Sequence, residues 1–532
     1  MSGITRRTFL DGAAKGGFVL GAGSLIAACG GSSSSGGSSA TSTSTSLSTS
    51  SGTPKHGGTL TAGLTGGSSS DTLDPNSPVN NTDYARVANL YESLVWLNAA
   101  GVPEFRLAKE MTPNAKATEW TIRLRDGVTF HNGKPLTADD LIFSIHRVLN
   151  PKAPGEAASA LAGIKAADIK KLDKLTVKVP FSRPYSTFVE TLAANITVYL
   201  VPVGFDPKKP IGTGPFKYKS FTPGQQSVFD RYENYWNSPL PYVDSLVMTN
   251  FEDETSQVNA LLSGQVDVIN LLSQDTINTV TGSRKKVVIS PGGGWNPFTM
   301  RVDQAPFNDA RVRQAFRLLV DRPKMNDIVF GGHGTLGNDV FAIWSTEYDH
   351  SLPQRQQDIE QAKHLLKAAG HQDTVFQLTT ADIAQGVVNM AQVFAQQASQ
   401  AGVKVKLNQV TVTDFYGPNY LKWVFAQDYW YYQAYLAQVS QATLPKSPYN
   451  ETHWDNAHYN NLYQQALAEN DASKRDEIAH EMQKIDYDEG GYIIPFFPPV
   501  IDGYSPEVGG IVQSKVGSSF NDWDFAHMYK MA

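Results

Sequence analysis

Five aromatic side chains fall within the eight residues Asp428-Tyr429-Trp430-Tyr431-Tyr432-Gln433-Ala434-Tyr435. A second segment, Gly292-Gly293-Gly294-Trp295-Asn296-Pro297-Phe298, sets an indole and an amide beside a glycine turn. Aromatic faces supply contact area, and hydroxyl, amide and indole groups supply hydrogen bonds, which is the chemistry of a pocket for a small molecule. Trp295, Asn296, Trp430, Tyr431, Tyr432 and Gln433 are therefore the candidate ligand contacts. Alternating positions of the same run also suit the core of a strand, so Tyr429, Tyr431 and Tyr435 carry both readings.

Catalytic and metal chemistry find less support. His480-Glu481-Met482-Gln483-Lys484 lacks the second histidine of a His-Glu-x-x-His zinc site. The eleven histidines are dispersed, and His453 and His458 are the pair whose spacing comes nearest to a ligand set. Neither a Gly-x-Ser-x-Gly elbow nor a Walker lysine motif occurs. Gly332-His333-Gly334-Thr335-Leu336-Gly337 has the G-x-G-x-x-G spacing but follows a helical pattern instead of a strand, so it reads as a glycine-rich turn. Asp139-Asp140 reads as a first-turn helix pair and not as a glycosidase dyad. No catalytic residue, metal or cofactor is expected.

The elements that must position these residues read as α/β. Thr59-Leu60-Thr61-Ala62-Gly63-Leu64 alternates as a strand does. Trp120-Thr121-Ile122-Arg123-Leu124-Arg125 alternates too, then turns at Asp126-Gly127 into Val128-Thr129-Phe130. Thr137 is a helix N-cap, and Leu141, Ile142, Ile145, Val148 and Leu149 form an apolar stripe that Pro151 stops. Val375, Gln377 and Thr379 open a β-α-β unit whose helix spans about 387–400 and whose second strand carries Val403, Val405 and Leu407. Such a crossover implies parallel strands covered by helices. Further amphipathic helices are expected over 309–320, 359–369 and 471–485.

Of the 532 residues, 41% are hydrophobic and 18% charged, enough for a large soluble body of several domains. The net charge of −6 gives no basic excess for nucleic acid. A single cysteine, Cys29, excludes internal disulfides and four-cysteine metal sites.

That cysteine ends a leader. Arg6-Arg7 precedes a largely apolar stretch of 13 residues, 16–28, too short to span about 30 Å of hydrocarbon. Leu25-Ile26-Ala27-Ala28-Cys29-Gly30 follows as a bacterial lipobox does, so residues 1–28 are expected to be a twin-arginine lipoprotein signal peptide with Cys29 the lipidated residue. Residues 30–53 are Gly, Ser or Thr at 22 of 24 positions and cannot bury a core, so 29–55 reads as a lipidated cysteine and a disordered tether.

From residue 56 onward the chain resembles the family 5 extracellular solute-binding proteins, the peptide- and oligopeptide-binding type of bacterial ABC importers. The strongest stretch runs from Leu124-Arg125-Asp126-Gly127-Val128-Thr129-Phe130-His131-Asn132-Gly133-Lys134-Pro135 to Asp140. Thr72-Leu73-Asp74-Pro75, Ile211-Gly212-Thr213-Gly214-Pro215-Phe216, Ala260 to Asp267 and Pro306 to Ala315 match further family segments in order. The resemblance implies a two-lobed periplasmic-binding-protein fold of the large cluster-C type, with a hinge between the lobes. Lobe I would comprise 56–81, 205–290 and 499–532, an insert subdomain 82–204, and lobe II 291–498. It implies capture of a peptide or other small polar solute, delivery to ABC permease and ATPase subunits, a monomer, and an extracytoplasmic place held by the lipid anchor. One departure matters. Peptide binders of this family carry an acid shortly after the tryptophan of the segment around Trp430, where it pairs with the ligand's amino group; here Tyr431-Tyr432-Gln433-Ala434-Tyr435 follows, and the nearest acid, Asp428, precedes it. A secreted α/β hydrolase and a ligand-sensing module for a membrane receptor remain the alternatives.

Overall fold

The computed structural model describes residues 53–193 and 198–531; the leader, Cys29 and the tether up to residue 52 lie outside the described residues. Thr59–Thr65 is the middle strand of a seven-stranded mixed sheet, and its alternation buries Leu60, Ala62 and Leu64. It runs parallel to Ser245–Phe251, with Thr59 opposite Ser245, and to Val268–Ile269. Gln226–Arg231 and Phe216–Thr222 extend one side and Val500–Tyr504 and Lys286–Ser290 the other, all by antiparallel pairing. One sheet therefore draws on segments from the beginning, middle and end of the chain.

A second sheet is antiparallel throughout, built from Ala108–Pro113, Glu119–Leu124, Thr176–Pro180 and Lys170–Lys171. Val128–Thr129–Phe130 does not continue it as a hairpin. Its amides and carbonyls are used in a small closed loop, Phe130 N–H to Lys134 O at 2.8 Å and Leu136 N–H to Val128 O at 2.9 Å. The further partner of Glu119–Leu124 instead arrives from Thr176–Pro180. Helix Ala138–Val148 starts as expected: the Thr137 N–H and hydroxyl donate to the Asp140 carboxylate at 2.9 and 2.7 Å.

The third sheet, of five strands, is ordered Lys404–Gln409, Val375–Thr380, Phe425–Gln427, Phe298–Met300, Tyr492–Ile493. Its β-α-β unit is parallel, Val375 opposite Lys404, with helix Val387–Gln400 between. Val312 and Phe316 from Ala310–Leu318, Leu366 from Ile359–Ala368 and Met390 and Phe394 from Val387–Gln400 pack with Phe298, Phe376 and Phe425 in one core. Two segments, 291–297 and 494–499, connect this sheet to the first. They touch so closely that a Cβ on Gly292 would lie 1.8 Å from the Pro498 carbonyl oxygen, which only glycine allows.

The antiparallel sheet does not stand apart. Trp120, Leu141, Phe181 and Phe188 share a hydrophobic core with Trp295, Phe341, Trp430, Tyr435 and Phe497. That shared core brings the antiparallel sheet and its helices against the aromatic segments that flank Phe298–Met300 and Phe425–Gln427. Among the described residues, no helix is long and apolar enough to cross a membrane.

Candidate ligand-binding site

The two aromatic segments singled out in the sequence meet. Trp295 N–H donates to Trp430 O at 3.0 Å, and Trp430 N–H donates to Trp295 O at 2.9 Å. The pairing sets their rings parallel, 5.6 Å apart with 8° between planes. Phe341 covers the other face of Trp295 at 5.2 Å, and Tyr435 stacks on Phe341 at 5.1 Å. Tyr492 meets Trp295 edge-on at 5.2 Å, and Tyr449 meets Trp430 at 5.9 Å. Trp295, 1% exposed, is the inside of a four-ring stack; Trp430, 5% exposed, is its end.

The remaining candidates spread along the same seam. Tyr432 is buried against Gly293, where a Cβ would come within 2.8 Å of its ring. Asn296 is buried, and its amide donates to Gln385 O at 3.3 Å. Gln385 in turn reaches Leu272 O, next to the first sheet, at 3.4 Å. Tyr431, half-buried, meets Tyr429 edge-on at 5.8 Å, and Gln433 is half-buried at the end of the run. Tyr435, one of the residues with two readings, is core: its hydroxyl donates to Asp486 at 2.6 Å.

Asp428 is already engaged. The hydroxyls of Tyr416 and Tyr420 donate to its two oxygens at 2.8 and 3.0 Å, and Tyr429 N–H donates at 2.8 Å. The acid nearest Trp430 is therefore used to hold its own loop.

Facing these aromatics is a wall that sequence reasoning missed. Tyr84, on helix Asn81–Leu90, donates its hydroxyl to Glu156. Burial, then Glu156 and Tyr431, push that hydroxyl well above its ordinary value. A small cavity of about 20 Å³ lies farther along, with Leu97, Pro103 and Glu190 on one side and Ser345, Thr346 and Tyr432 on the other. Ser345 donates its hydroxyl to Glu347 Oε2, and Tyr435 N–H donates to the Ser345 oxygen at 3.2 Å. Glu190 is held by Arg475 at 3.3 Å. No motif marked Tyr84, Glu156, Glu190 or Ser345 in the sequence.

Several buried carboxyls of the protein are shifted toward neutral pH. Burial raises Glu92, Glu156, Glu347, Asp486 and Asp522 to about 7, and Asp83 and Asp502 to about 6. A carboxyl with a raised folded-state pKa contributes stability that is complete below the unfolded value near 4 and is lost as pH rises through 6 to 7. The melting temperature is accordingly expected to be several degrees higher at pH 5 than at pH 8. A scan showing equal or greater stability at pH 8 contradicts this electrostatic account.

No group of three or more His, Cys, Asp or Glu side chains among the described residues is placed to hold a metal ion. His453 Nε2 bonds Leu421 O at 2.8 Å and His458 Nε2 bonds Glu481 at 2.9 Å, two separate tasks. The Gly332–Gly337 segment turns after helix Arg322–Phe330 and its left-handed cap Gly331, and its Thr335–Leu336 then pairs antiparallel with Phe496–Phe497.

The profile of the bacterial extracellular solute-binding proteins, family 5 middle, matches residues 103–461, more than half of the chain. The chain belongs to this family. As a family 5 solute-binding protein it is a substrate-binding component of an ABC importer. It is 24% identical to the glutathione-binding protein GsiB of Salmonella typhimurium over 485 residues, 86% of this chain and 93% of that protein. The ABC transporter substrate-binding protein CtaP of Listeria monocytogenes superposes with a TM-score of 0.77 at 21% identity, covering 90% of this chain and 100% of that one. The oligopeptide-binding protein AppA of Bacillus subtilis, solved with a nonapeptide, gives 0.70 at 20% identity, with 90% and 100% covered. The family 5 protein described here thus has the two-lobed α/β fold that its sequence implied.

Proposed function

We propose that this protein is a lipid-anchored receptor that captures a peptide or another small polar solute between two lobes, outside the cytoplasm, and delivers it as a monomer to an importer's permease and ATPase. The observation that carries the reading is the seam itself. The stacked rings of Trp295 and Trp430 lead into Tyr431, which acts electrostatically on Tyr84, and Tyr432, which lines one small cavity with Glu190. Two crossing segments in contact at Gly292 and Pro498 give the lobes a hinge. On this reading lobe I, 56–81, 205–290 and 499–532, holds the seven-stranded sheet, an insert of 82–204 the antiparallel sheet, and lobe II, 291–498, the five-stranded sheet. Relatives named for binding glutathione and oligopeptides favour a peptide-like solute.

The work of such a protein is differential affinity between open and closed lobes, with no chemical step. Purified protein should show saturable binding to members of a peptide and polar-solute panel, read by thermal shift, and no turnover of any of them. Turnover by pure protein would replace the receptor with a hydrolase. Anchoring has its own test: Cys29→Ser is expected to move the protein from the membrane pellet to the soluble fraction. A variant that still sediments with membranes in high salt refutes Cys29 as the anchor.

A further inference from the structure

The last turn of helix Ala457–Ala468 presents carbonyls that its own helix leaves without an amide. Two of them are met from the insert. Ser186 N–H donates to Leu467 O at 2.9 Å, and the Ser186 hydroxyl donates to Ala466 O at 2.9 Å. The insert holds Ser186 ready for this. Tyr185 N–H donates to Ala117 O at 2.8 Å, and the Trp120 indole N–H donates to Tyr185 O at 2.9 Å. Beyond the helix the chain makes two further links. Asn470 donates its amide to Asn114 O at 3.0 Å, at the tip between strands Ala108–Pro113 and Glu119–Leu124. Arg475, in the first turn of helix Ala472–Glu489, reaches Glu190 at 3.3 Å.

The insert is also tied to lobe I. His131 N–H donates to Gly212 O at 2.9 Å, and the Tyr232 hydroxyl donates to Phe130 O at 2.8 Å. None of the residues that join the insert to helices Ala457–Ala468 and Ala472–Glu489 belongs to the crossing segments 291–297 and 494–499. Parting the lobes about those segments, with the insert beside lobe I, therefore breaks the contact.

We propose that Ser186, Asn114 and Glu190 form a clasp by which the insert holds lobe II closed before any solute arrives. This rests on the division into lobes and adds where the closed form is held. A helix C-terminus carries partial negative charge and orphan carbonyls, so the paired donors of a serine suit it and a carboxylate does not. Phe188 and Leu467, beside the contact, lie in one hydrophobic core, so closure also removes apolar surface from water. Solute enters through the open fraction alone, so a clasp made without solute weakens apparent affinity in proportion to that fraction.

Cys29 is the sole cysteine, so the full protein with Cys29→Ser, Lys116→Cys and Lys474→Cys takes spin labels at exposed positions on the two sides of the clasp. Pulsed electron paramagnetic resonance without solute is expected to give one short, narrow distance. Ser186→Asp sets a carboxylate against Ala466 O and Leu467 O. It is expected to add a longer distance and shift the closed-to-open ratio at least about tenfold toward open. Asn470→Ala with Arg475→Gln, which leaves Ser186 in place, is expected to shift the ratio the same way, about tenfold. A long or broad distance in the protein with its clasp residues intact overturns the clasp, as do distances that neither variant changes. Variants that melt lower with the short distance retained assign these residues to folding alone, and overturn it too. Each of these results leaves the receptor reading to the solute panel, which decides it separately.

Discussion

Asp339→Asn is expected to cost the fold about 3–5 kcal/mol, the size of breaking a buried ion pair by removing one partner. Asp339 is fully buried and accepts both Arg322 bonds at 2.7 Å, Arg355 Nε at 2.8 Å and Ile494 N–H at 3.0 Å. Arg317 lies 4.0 Å away. Burial alone would raise this carboxyl, but Arg322, Arg355 and Arg317 hold it below the ordinary carboxylate range. Asparagine keeps the shape and tolerates the left-handed backbone of this position, φ 63°, so the loss reports charge and not strain. It leaves three arginines, two of them fully buried, without their counter-ion. The node ties helix Arg322–Phe330 and helix Ala310–Leu318 to the stretch that leads into Ser345 and Glu347, and through Ile494 to the crossing segment. The urea midpoint measures it; a loss under about 1 kcal/mol contradicts the role.

Trp295→Ala is the second large effect, about 3–5 kcal/mol, because both faces of the indole are covered and the ring leaves a void that its neighbours cannot fill. Trp430→Ala, at the end of the same stack, is expected to cost the fold less and the solute more. Losing a buried aromatic anchor weakens binding by about 2 kcal/mol, or about 30-fold. Denaturation and binding measured on both variants separate the roles. If Trp430→Ala binds like the parent protein while Trp295→Ala does not, the site lies on the other side of the stack.

Strands and helices with a clean period were legible from the residues alone. Thr59–Thr65, Ala138–Val148 and the parallel unit Val375–Gln409 form as their alternation and stripes imply. The short run Val128–Phe130 was not, because paired turns at Gly127 and Gly133 close it into a loop before a strand partner can add. The aromatic segments stood out by composition, but the backbone pairing of Trp295 with Trp430 did not. What the pattern could not say is which of the two tryptophans faces inward, a matter decided by Phe341 arriving from a distant loop.

The receptor account is tested most directly by native mass spectrometry of the protein purified from its own host. It predicts one solute per chain, released on denaturation with its mass unchanged. Protein that carries nothing, or that converts offered solutes to products, contradicts it.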